Sequence, residues 1–131
     1  MIGNPFESYT VVSQGDGTLT RMVDGIIGTS IQVTNLEEAR ANLHIVAGFY
    51  NLAVDDTLAA LLLGHTSPEN ATECAIVAAC QDEAPENIRA MWEKGNDYVI
   101  ALLAKVLLWM ANHANTYPIS IKTPEIRPSS D

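Results

Sequence analysis

Apolar positions in the first quarter of the chain follow a two-residue rhythm. Tyr9-Thr10-Val11-Val12-Ser13 is β-branched and aromatic, Gln14-Gly15-Asp16-Gly17 supplies turn chemistry, and Thr18-Leu19-Thr20-Arg21-Met22-Val23 resumes the run. Asp24-Gly25 is a two-residue hairpin signal, because both central positions of a type I′ turn take positive φ. Beyond it Ile27, Thr29, Ile31 and Val33 alternate with Ile26, Gly28, Ser30 and Gln32, so the face carrying Ile27, Ile31 and Val33 is expected to be buried. The pattern predicts a three-stranded meander over residues 9–33, preceded by an arm over residues 1–8.

At Thr34 the period lengthens to 3.6. Thr34-Asn35-Leu36-Glu37 fits a capping box. Leu36, Leu43, Val46, Ala47, Tyr50, Ala53 and Val54 follow at helical spacing. Asp55-Asp56-Thr57 either interrupts that helix or starts another. Leu58, Leu61 and Leu62 continue the stripe, and Gly64 is a natural residue just past a helix end. Ser67-Pro68-Glu69 combines a cap, a preset φ and a dipole-favoured acid, which predicts a helix over 68–82. Its Ala71, Cys74, Ala75, Ala78 and Ala79 form a shallow surface that lets a neighbouring backbone come close. Ala84-Pro85-Glu86 opens the longest segment, in which Ile88, Met91, Trp92, Val99, Leu102, Val106, Trp109, Met110 and His113 recur at spacings of three, four and seven. Gly95-Asn96-Asp97 marks a kink or a break within it, and Pro118 ends it. Ile119 and Ile121 alternate in a strand-like piece able to return to the sheet, and Thr123 to Pro128 reads as an extended arm.

Strands followed by helices and one more strand describe an α+β fold: an N-terminal three-stranded antiparallel meander, then three or four helices packed on one face, then a short C-terminal strand and arm. The expected organisation is a single domain over 1–131, with the helical part at 34–116 and the last strand and arm at 117–131. A chain of 131 residues is enough for one domain and buries a core without needing disulfides or metal.

Charge adds a second pattern. The formal net charge is −9, and eleven acids against three bases (Arg40, Arg89, Lys94) between Thr34 and Asp97 account for −8 of it. The strands are therefore close to neutral, and direct nucleic-acid binding is not expected. Glu37-Glu38, Asp55-Asp56 and Asp82-Glu83 fall near predicted helix ends, where capping and solvation explain them. The sharper reading makes these six an acidic face for a basic protein partner.

Candidate chemistry is sparse. His44, His65 and His113 form no metal-ligand spacing, and His113 continues an apolar stripe as a partly buried ring. Cys74 and Cys80, six positions apart on a helix, are about 120° apart in direction with a rise of about 9 Å, which excludes a disulfide between them. They read as small core thiols in a reducing setting. Gly15-Asp16-Gly17 lacks the helix and lysine of a phosphate loop, and Ser67 lacks a nucleophile elbow. The expectation is a non-enzyme with no catalytic residues, no cofactor and no metal. No signal sequence and no bilayer-length span are recognisable, so a cytoplasmic or virion location is expected, without membrane association.

What remains is aliphatic excess. Hydrophobic residues are 47% of the chain and charged ones 18%. Leu61-Leu62-Leu63, and Leu102-Leu103 with Leu107-Leu108, put leucines on more than one side of their helices. Helices apolar around most of their circumference need cover on most of it, and one small chain has few elements to supply it. Leu61, Leu62, Leu63, Trp92, Leu103, Leu107 and Trp109 are therefore candidate interface residues, facing other copies or other subunits through an obligate aliphatic contact. The function expected is a structural or assembly subunit, for example of a phage or viral particle. The alternatives are a small acidic inhibitor or immunity-type protein (an anti-defence protein or nucleic-acid mimic) and a small-molecule binder with a pocket between sheet and helices.

Overall fold

The computed structural model describes residues 6–122 apart from positions 24, 47, 53 and 54. Asn4-Pro5, the arm beyond Lys122, Asp24 of the hairpin turn, and Ala47, Ala53, Val54 and the side chain of Tyr50 in the helical stripe lie outside the described residues. Four strands form one antiparallel sheet: β1 (Phe6–Ser13), β2 (Thr18–Val23), β3 (Ile26–Gln32) and β4 (Asn115–Lys122), in the order β3-β2-β1-β4. The meander and the returning strand are both present. The helix ends before Pro118, at Ala111, and the return strand begins at Asn115. Between β3 and β4 run α1 (Leu36–Asn42), a 3-10 turn (Leu43–Ile45), α2 (Gly48–Leu52), α3 (Asp56–Leu62), α4 (Ala71–Cys80), α5 (Pro85–Lys94) and α6 (Asn96–Ala111). The helical part is thus divided more finely than three or four segments.

Register explains which face of the sheet is buried. Tyr9 pairs with Ile119, Val11 with Tyr117, and Leu19 with Ile31. All six are buried, and they share one face with Val33. The opposite face carries Thr10, Val12, Thr20, Ser30, Thr116 and Pro118, half-buried or exposed, as expected of an antiparallel sheet with one solvated side. Ile27 departs from its expected place. It pairs with Met22 while Ser30 pairs with Thr20, so β3 holds an extra residue against β2. That bulge breaks the alternation. Ile27 moves out of phase with Ile31 and is 69% exposed. Arg21 closes this end of the core: its guanidinium carbon lies 4.7 Å from the Tyr9 ring centre and its Nη1 donates to the Ile45 carbonyl at 3.2 Å. Val23 and Ile26, beyond Arg21, are exposed.

α6 is the centre of the molecule. Leu102, Leu103, Val106, Leu107 and Met110 are buried, with α1, α4, α5 and β2 packed around them. The cover that its broad apolar surface demands comes from this chain's own elements. Ala75 and the small residues beside it let α4 lie against α6, and the Thr72 hydroxyl donates to the Pro118 carbonyl, tying α4 to β4.

Helix ends differ from the sequence pattern by one to three residues, for a local reason. α1 is capped by Asn35, whose Oδ1 accepts from Glu38 N–H at 2.8 Å, while Glu38 Oε1 accepts from both the N–H and the hydroxyl of Thr34. The box therefore runs from Asn35 to Glu38 and not from Thr34 to Glu37. α4 repeats the device: Asn70 accepts from Glu73 N–H, and Glu73 accepts from Glu69 N–H. It thus starts at Ala71 and not at Pro68. Asp55 caps α3 through Thr57 N–H, so Asp55-Asp56-Thr57 is a start. Gly64, at φ 81°, ends α3: its N–H goes to Leu61 O and that of His65 to Ala60 O, a Schellman pair. Gly95 (φ 102°, ψ −161°) makes the segment from Pro85 a true break into α5 and α6.

Candidate functional site

Among the described residues, two open apolar hollows lie on the helical side. The first, about 220 Å³, is bounded by Leu61, Leu62 and Leu63 at the end of α3, by Val77 and Cys80 of α4, and by Ile88 of α5. The second, about 340 Å³, lies between α1, α4 and α6 and is bounded by Leu36, Ala79, Leu108, Trp109 and His113. One ion pair joins them: Glu83 lines the first, Lys105 the second, and Lys105 Nζ stands 2.6 Å from Glu83 Oε1.

The ionisable side chains lining the first hollow are Cys80 and Glu83, and those lining the second are Lys105 and His113. Burial pushes the Cys80 thiol up to about 11, Lys105 pulling it down and Glu83 raising it further, so at neutral pH it is a protonated core group. Cys74 is exposed and Cys80 buried, so only one of the two is the small core residue the pattern indicates. His113 is exposed and not partly buried. Its ring stacks on Trp109 with centres 3.8 Å apart, and Nδ1 lies 2.7 Å from the Trp109 carbonyl, so it finishes the end of α6. His44 and His65 are exposed. Among the described residues no three His, Cys, Asp or Glu are grouped to hold a metal, and no helix is long and apolar enough to cross a membrane.

The candidate interface residues divide. Leu61, Leu103 and Leu107 are buried within the chain, because α3 and α6 are covered by neighbouring helices and the sheet. Leu62, Leu63, Trp92 and Trp109 are half-buried, and of these Leu62 and Leu63 line the first hollow and Trp109 the second. The six acidic residues divide as well. Glu38 and Asp55 serve caps, and Glu83 holds Lys105. The hydrogen bonds from the Thr34 hydroxyl and then the Thr34 N–H hold the Glu38 carboxyl below its ordinary value. Glu37 and Asp56 occupy first helical turns, and Asp82 follows α4, all three exposed.

Among the described residues the most exposed large apolar side chains lie elsewhere, at the β2–β3 hairpin. Ile26 is 70% and Ile27 69% exposed, with Val23 beside Ile26 as its register partner. The sequence pattern did not single out this patch, although it carries a signal. Ile26 and Ile27 are adjacent in a strand, so they point to opposite faces, and one core cannot take both.

No family model, curated protein or solved structure matches this chain.

Proposed function

We propose that this chain is a non-enzymatic building block of a larger assembly. The observation that carries the reading is the pair Ile26 and Ile27, each about two-thirds exposed on a hairpin that lies at an edge of the sheet. Leaving such a side chain in water forgoes about 1.5–3 kcal/mol of burial apiece, a cost that contact with another surface removes. The half-buried Trp109 and the leucines of the two hollows add apolar surface on the helical side. Two unpaired thiols agree with a cytoplasmic or virion setting. The acidic-inhibitor alternative has less support, because Glu38, Asp55 and Glu83 are engaged within the chain. A small-molecule role draws on the hollows alone, and their few polar groups name no ligand.

Size-exclusion chromatography with light scattering, together with a hydrophobic dye, tests the reading. A mass above 14.2 kDa, or strong dye binding that Ile26→Lys/Ile27→Lys abolishes, is the expected result. A 14.2 kDa species that binds little dye at tens of micromolar overturns it.

A further inference from the structure

We infer that the partner at the hairpin is a second copy of this chain, and that the two β3 strands pair antiparallel to join two sheets into one. The inference rests on the assembly reading and names its contact.

The sheet's two edges are built differently. At β4, Pro118 has no N–H to offer and its carbonyl takes the Thr72 hydroxyl, while α2 and α4 pack against the strand. That edge is blocked at Pro118. At β3, Asn42 Nδ2 reaches only the last residue, donating to Gln32 O at 3.2 Å, and residues 26–30 are all exposed. Soluble proteins guard such an edge with a bulge, as β3 has opposite Arg21, and with charge or proline. Residues 25–36 contain neither, although the chain as a whole carries −9.

Charge selects the occupant. Between Thr34 and Asp97 the net charge is −8, so two copies repel through their helical parts and approach most easily through the near-neutral sheet. A basic partner would favour the helices and gain nothing from an uncharged strand. Antiparallel pairing of a strand with its own copy is isologous, so each backbone bond forms twice, and Ile26 and Ile27 gain cover from the neighbouring copy. The bulge opposite Arg21 shortens the straight part of β3. Pairing there is therefore reversible and concentration-dependent.

Amide hydrogen exchange on the whole chain, at about 5 µM and about 500 µM, reads this directly. Exchange over residues 26–32 is expected to slow about tenfold or more at the higher concentration, with β4 unchanged. The Ile26→Lys/Ile27→Lys variant, altered only at exposed positions, is expected to lose that dependence and stay at 14.2 kDa with its circular dichroism intact. A heavier species whose β3 amides exchange at the dilute rate overturns strand pairing and leaves the assembly reading standing. A single 14.2 kDa species at both concentrations, with concentration-independent exchange, overturns the pairing. If that species also binds little dye, the assembly reading falls with it.

Discussion

Cys74 and Cys80 show how position alone separates two identical side chains. The turn of about 120° that keeps their sulfurs from bonding also keeps them off a common helix face. One therefore meets water and the other the core. From the sequence both read as core thiols; the spacing rules out a bond between them, but which of the two faces inward depends on where α6 lies. Native protein is expected to release one thiol equivalent to an aromatic disulfide reagent at neutral pH and the second only in denaturant. The Cys80 thiol is raised from 9.0 to about 11 in the folded chain. The unfolded thiol ionises first as pH rises, so stability present at neutral pH drains away between those values. Cys80→Ala should flatten the fall in Tm between neutral pH and about pH 10.5, measured by circular dichroism. Glu38 has the opposite sign. Its carboxyl is lowered in the fold, so its contribution is present above the ordinary 4.5 and is lost as pH falls through the folded value. The Tm gap between the native chain and Glu38→Gln is expected to close under acid.

Individual elements were legible wherever one local signal stood unopposed. The hairpin strands, the Gly64 stop and the return strand are of this kind. Two signals competed at the starts of α1 and α4; at α1 both registers offer a cap and a Glu, and at α4 only the observed one does. From Ser67 the third helical position is Asn70, which has no carboxylate to reach back, whereas from Asn70 it is Glu73. That comparison was available in the sequence. The bulge in β3 was not, because it answers to the register of β2 and to Arg21 at the end of the core. Gly95 supports a sharper prediction. A Cβ there would meet nothing within 4 Å, so the cost of Gly95→Ala is backbone conformation alone. At φ 102° and ψ −161° that is about 1–3 kcal/mol, readable as a lower urea midpoint with unchanged slope. Unchanged stability would mean that α5 and α6 accommodate another junction.

For the molecule as a whole, the leucine count overstated what neighbours must cover. Leu61, Leu103 and Leu107 find shelter among many short helices and one sheet face, an arrangement that depends on the path of the chain. Periodicity along single helices does not contain it. Among the described residues the two most exposed large apolar side chains, Ile26 and Ile27, belong to the sheet and not to the helical segment that carries most of the negative charge, although Leu36 of α1 and Tyr98 of α6 are also exposed. That segregation makes salt a diagnostic. Screening the repulsion between two copies should strengthen self-association as ionic strength rises, whereas binding of a basic protein through the helices should weaken. Sedimentation at about 50 mM and about 500 mM salt distinguishes the two directions.

The strand order has a consequence for synthesis. β1 sits between β2 and β4, yet β4 follows every helix, and the β1–β2 turn also waits for the far end of α6, where Gly17 N–H meets the Ala111 carbonyl at 2.9 Å. A nascent chain that has not reached residue 115 holds its first strand half-paired and its core short of Tyr117 and Ile119. Ribosome-tethered chains ending before that point should stay sensitive to protease and become resistant together once the last strand emerges.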